Sequence, residues 1–203
     1  MAYTDFTLES AEQRLGLTVV LADLFPGLAP LPVPTWLEES LARGRAVAAL
    51  VSEKARSEFI VTPVLTATRD FVLGELAIFS GQRLDVDAGR GLVGECDYIL
   101  ARTAPVPRLH GPLLLVMEAK RGDIEIGLGQ CVAQMVAAAI FNERAGLPVC
   151  SMYGVLTTGE DWQFLRLDGT CLAMHTRRLY LNSLGEVLAA LTACVEHTAG
   201  NRP

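Results

Sequence analysis

Leu113, Leu114, Leu115, Val116 and Met117 form an uncharged run that follows Gly111-Pro112 and ends abruptly in Glu118-Ala119-Lys120. A run this short, opened by a turn signal, reads as a buried strand. Side chains alternate across a strand, so Glu118 and Lys120 share one face and Ala119 takes the other. A strand that stays apolar to its end and then presents an acid and a base together has the layout of a site. Upstream, Gly94-Glu95-Cys96-Asp97-Tyr98-Ile99-Leu100 reads as a second strand with a similar apolar end.

The rest of the chain supplies elements around these two strands. Thr35 is placed to cap a helix beginning at Trp36, with Glu38 as its capping-box partner. Helical spacing continues through Leu41, Val47, Leu50 and Val51 towards Phe59, with a break expected near Gly44 and an end or kink at Pro63. Strands are expected over 76–86, 92–101 and 113–119, the first two joined by a hairpin turn at 87–91. A long helix over 124–145 should stop at Gly146 and Pro148. Strands at 150–157 and 162–167 flank a turn, with Trp162 read as core, and an amphipathic helix covers 183–197. The proline-rich stretch 25–34 is too irregular for a helix interior and should run over the surface. The expectation is one α/β domain over 1–203, with a mixed sheet flanked by helices.

Composition narrows the class. With 203 residues, 51% of them hydrophobic, the chain can build one sizeable core. No stretch is expected to approach the roughly 20 apolar residues of a membrane span. Asp5, Glu9 and Glu12 precede any apolar run, the wrong order for a signal peptide, so the expectation is cytoplasmic with no membrane partner. Five scattered cysteines without a Cys-x-x-Cys pair read as reduced, semi-buried fillers, and three dispersed histidines give no legible zinc site. A net charge of -6 argues against nonspecific coating of nucleic acid. Basic groups nevertheless gather in the middle third, at Arg83, Arg90, Arg102, Arg108, Lys120 and Arg121.

Taken in order, Glu58 on an early helix, Asp97 on a strand, Glu118-x-Lys120 on the next strand and a following helix resemble the PD-(D/E)XK nuclease superfamily. The likeness is greatest to the N-terminal nuclease module of type I restriction motor subunits. Two further segments carry it: Ser57-Glu58-Phe59-Ile60-Val61-Thr62-Pro63-Val64-Leu65, and the strand–turn–strand Gly154-Val155-Leu156-Thr157-Thr158-Gly159-Glu160-Asp161-Trp162-Gln163-Phe164. The diagnostic part spans about 52–167. Cys96 stands where the family usually has a proline before the strand acid.

The resemblance implies a restriction endonuclease-like core and Mg²⁺, with Mn²⁺ as a substitute. Glu58, Asp97 and Glu118 would be the metal ligands, and Lys120 would orient or help deprotonate the attacking water. Gln130 would reach back towards Lys120 and substrate. Gln134 shares its helix face and would either join it or hydrogen-bond within the core. Glu95 is either an auxiliary ligand or a solvent-facing charge. These residue types suit the chemistry: hydrolysing a phosphodiester needs an activated hydroxide and stabilisation of charge on the attacking and leaving oxygens. Hard carboxylate oxygens suit Mg²⁺.

The implied function is metal-dependent hydrolysis of nucleic acid, with DNA as the expected substrate. Cutting both strands would suit a homodimer, and any motor or sequence-recognition activity would lie in a separate protein. The alternatives are a catalytically silent module of the same fold, used for nucleic-acid binding or assembly, and a generic α/β interaction domain whose charged strand ends face water. Gly89-Arg90-Gly91-Leu92-Val93-Gly94 spells G-x-G-x-x-G, but it precedes a strand instead of opening a helix and reads as a turn.

Overall fold

The computed structural model describes residues 1–147 and 149–198. Eight strands form one sheet: β1 (Thr18–Ala22), β2 (Ala77–Arg83), β3 (Glu95–Ala101), β4 (Leu113–Ala119), β5 (Met152–Thr157), β6 (Asp161–Asp168), β7 (Cys171–His175) and β8 (Leu179–Tyr180). The strand order is β1-β7-β6-β5-β4-β3-β2, with β8 paired to β6. Two neighbouring pairs are parallel, β4 with β5 and β1 with β7, and the others are antiparallel. The sheet is therefore mixed, as expected, and the run 113–119 is β4 to the residue.

Helices cover both faces. On one side α1 (Leu8–Leu15) packs on α5 (Leu128–Arg144), which lies along β4 and β5. On the other side are α2 (Thr35–Val47), α3 (Glu53–Arg56), α4 (Thr62–Phe71) and α6 (Leu184–Thr198). Every residue of β4 and β5 is buried, which is why both strands read as continuous apolar runs instead of alternating patterns. Leu113, Val116 and Leu156 share one core cluster with Cys131 and Met135 of α5, while Leu114, Met117 and Val155 share the other with Leu65 of α4 and Leu188 of α6. Gly154 lets α5 approach β5, since an added Cβ would lie 2.4 Å from Met135 Sδ.

Several local expectations need correction. Thr35 is the first residue of α2, Pro34 takes the cap position, and no side-chain cap forms, so the Thr35–Glu38 box is absent. Gly44 does not break the helix. It lies inside α2 at a close crossing, where a Cβ would come within 3.1 Å of Phe59, and the break falls later, after Val47. Pro63 does not end its helix either. It occupies the first turn of α4, where a missing N–H costs little, directly after a wide π-helical turn at Ser57–Val61.

The strands expected over 76–86 and 92–101 are shorter, and the turn between them is closed by an isolated Asp87–Leu92 bridge. The helix expected from 124 begins as a 3-10 turn at Ile124–Gly127. It passes into a C-terminal turn with Gly146 at φ 68°; Pro148 lies outside the described residues. Residues 124–144 are in fact long and apolar enough, by length and composition, to cross a membrane. Here they are mostly buried against the sheet and α1, the position of a core helix. Trp162 is fully buried, as expected. Cys96, Cys131 and Cys194 are buried, Cys150 and Cys171 are exposed, and none is paired.

Candidate active site

The ends of β3 and β4 build the site. Their ladder runs to the pair Tyr98–Met117, and beyond it a side chain takes over. Asp97 Oδ2 accepts the Ala119 backbone N–H at 2.8 Å, which pins the Asp97 carboxylate to β4 beside Glu118. On the other edge of β4, the Lys120 N–H donates to Thr157 O at 2.7 Å and continues the parallel pairing with β5. The backbone around Glu118 and Lys120 is thus fixed from both sides.

Glu118 is only 1% exposed, so its carboxylate must find partners inside the protein. Its Oε2 accepts from Gln130 Nε2 at 2.6 Å and from Lys120 Nζ at 3.1 Å. Its Oε1 accepts from Gln134 Nε2 at 2.5 Å. Lys120 also donates to Gln130 Oε1 at 3.1 Å, so Lys120, Gln130 and Glu118 close a three-membered ring of hydrogen bonds. Gln130 and Gln134 stand one turn apart on α5, which is why both reach the same carboxylate. Gln134 additionally donates to Glu95 O at 3.3 Å, while its own Oε1 is buried without a partner.

Burial pushes the Glu118 carboxyl up to about 7, and the neighbouring Asp97 charge adds to the effect against the pull of Lys120 and Gln134. Burial likewise raises Asp97, opposed by the Ala119 N–H and Lys120. Burial alone would lower Lys120, but Glu118, with Glu53 and Asp97 behind it, outweighs this and leaves the amine raised. Lys120 is therefore a charged donor here, suited to orienting a water or screening a phosphate and not to acting as a free base.

Next to these groups opens a cleft of about 400 Å³, lined by Asp97, Tyr98 and Glu95 on one wall and by Glu53, Ser57 and Glu58 on the other. Glu58 sits on the wide turn Ser57–Val61, is exposed, and lies 3.8 Å from Lys54. It shares the cleft with Asp97 without joining the buried cluster. Glu95 is exposed at the start of β3. Glu53 was not singled out in the sequence; the only hint was its place in the first turn after the cap residue Ser52. A larger groove, about 540 Å³, lies between α2 and the start of α6, away from all of these groups.

Among the described residues, no three His, Cys, Asp or Glu side chains converge closely enough to hold a metal ion. Asp97 and Glu118 do converge, and Glu58 stands across the cleft. Mg²⁺ commonly takes one or two carboxylates and keeps several waters. Asp97, held to the Ala119 N–H beside Glu118, offers with it two adjacent hard-oxygen acids, the donor type and number that such a cation takes. No family model and no curated protein matches the chain.

Proposed function

We propose that this chain is a metal-dependent nuclease that hydrolyses phosphodiester bonds of nucleic acid, with DNA as substrate. The observation that carries this is the convergence of Asp97, Glu118, Lys120 and Gln130 at one strand end, with Asp97 lining the adjacent cleft. Asp97 and Glu118 are the residues that would hold Mg²⁺ or Mn²⁺. The bound cation would supply a hydroxide nucleophile and neutralise charge on the phosphate. Lys120, held in place by Gln130, directs its ammonium towards the Glu118 side of the site, where it can orient a water and screen an anionic oxygen. Gln134 holds the far oxygen of Glu118 and keeps the carboxylate in its plane. Glu58 would act from across the cleft through water.

One observation favours the second reading, a catalytically silent module of the same architecture. Both Glu118 oxygens already have protein partners, and no third acid closes on them. Incubating the protein with plasmid, single-stranded and branched DNA and RNA, with Mg²⁺ or Mn²⁺, separates the two. Cutting that Asp97→Ala abolishes supports the enzyme. A folded protein that cuts nothing and binds neither cation, even with DNA present, supports the module.

A further inference from the structure

The helical run from Glu53 to Phe71 contains one wide turn, Ser57–Val61, closed by the Thr62 N–H donating to Ser57 O. Such a turn carries an extra residue within the helix and swings the side chains on it out of register, and it recurs at functional sites. Glu58 is on this turn. The Tyr98 hydroxyl reaches both residues that close it, donating to Ser57 O at 3.0 Å and lying 2.9 Å from Thr62 Oγ1. Its one proton is used on Ser57 O, so Thr62 is the donor to it. Tyr98 is 3% exposed and follows Asp97 directly on β3. Arg56 ties the preceding turn to Leu50 O and Thr158 O, at 3.0 and 2.9 Å. The wide turn itself has only Tyr98 to fix it to the strand that carries Asp97, among the hydrogen bonds of the described residues.

We propose that Tyr98 is a positioning residue whose hydroxyl holds the Ser57–Val61 turn against β3, setting Glu58 opposite Asp97 for joint use of one divalent cation. This rests on the nuclease reading. The hydroxyl ties the two walls of the cleft, and it binds Ser57 O, the acceptor that closes the turn, together with the side-chain hydroxyl of Thr62, the residue whose N–H donates to that acceptor. A tyrosine that merely filled the core would need only one partner for its hydroxyl.

The test is Mn²⁺ binding by calorimetry on the full chain, with DNA cleavage measured against Mn²⁺ concentration. Wild type, Tyr98→Phe, Thr62→Val, Asp97→Asn and Thr68→Val are compared. Thr68 donates to Val64 O at 3.0 Å within α4, is fully buried, and does not reach the cleft, so its variant reports loss of a buried hydroxyl alone. Tyr98→Phe should weaken Mn²⁺ binding by roughly tenfold, the worth of about one hydrogen bond. Cleavage should then recover towards the wild-type kcat at saturating Mn²⁺. Thr62→Val should act in the same direction, and Thr68→Val should leave the Mn²⁺ requirement unchanged. If Asp97→Asn loses Mn²⁺ while Tyr98→Phe binds it like wild type, the role of Tyr98 is overturned and the metal site stands. If wild type binds no Mn²⁺, the nuclease reading fails and the role of Tyr98 with it.

Discussion

Gln134 donates its amide to Glu118 Oε1 at 2.5 Å while its own carbonyl oxygen lies buried with no partner. A buried oxygen left unpaired costs free energy, so this glutamine is held for what its nitrogen does. Gln134→Leu should remove one of the groups that oppose the rise of the Glu118 carboxyl, and Glu118 should titrate above its present value of about 7. Carboxyl-selective NMR across pH 5–9 would detect the move, the pH range being about two units either side of that value. The same variant should lose about 1–3 kcal/mol of stability, because buried acceptors on Glu118 and Glu95 lose their donor. A carboxyl that titrates lower in the variant would contradict this assignment.

Glu118 also predicts how stability depends on pH. Its carboxyl is raised from 4.5 to about 7 in the folded protein, so between those values the native state holds more proton than the unfolded chain. Stability contributed by the protonated form is present below pH 4.5 and is lost as pH rises through about 7. The loss is of the order of 3 kcal/mol at most. Denaturant melts should show this slope, and Glu118→Gln should flatten it. A divalent cation on Asp97 and Glu118 should restore stability above pH 7, by about 2.7 kcal/mol at a hundredfold excess over its Kd. Stability that climbs between pH 5 and 7 in wild type would contradict the assignment.

Gly127 makes room for Lys120. A Cβ there would lie 2.7 Å from Lys120 Cε and 2.8 Å from Leu156 Cδ2, although the backbone at φ -84° accepts any residue. Gly127→Ala should therefore push the lysine stem aside with no backbone strain. The expected cost is about 1–3 kcal/mol from overpacking. Cleavage should fall by roughly a hundredfold, as expected when a positioned group is displaced by about 1 Å. Kinetics beside a thermal melt would separate the two effects, and wild-type kinetics would show that Lys120 need not sit where it does.

What was legible in the sequence follows from how local each signal is. β4 could be read to the residue because Pro112 bounds it, five apolar side chains fill it, and a charged pair ends it. Gln130 and Gln134 could be placed on one face of α5 because the helical period alone puts them there. The edge strand β1 was not read. Its pattern is half-exposed, and it exists only because residues 18–22 pair with 171–175, far away in the chain. α1 carried a readable cap, Thr7 accepting from the Ser10 N–H, but serine in place of the usual glutamate at that position weakened the signal. The wide turn at 57–61 and the place of Glu53 in the cleft depend on tertiary contacts with β3, which no window along the helix contains.

A nuclease centre at Lys120 and its partners has a direct signature in solution. Its most direct measurement is nicking of supercoiled plasmid in Mg²⁺ by wild type and by Lys120→Ala, purified side by side. Metal-dependent nicking by wild type should fall by at least a hundredfold in the variant, within the range a positioned charged donor contributes. Equal nicking by both proteins, or none by either in Mg²⁺ or Mn²⁺, would contradict it.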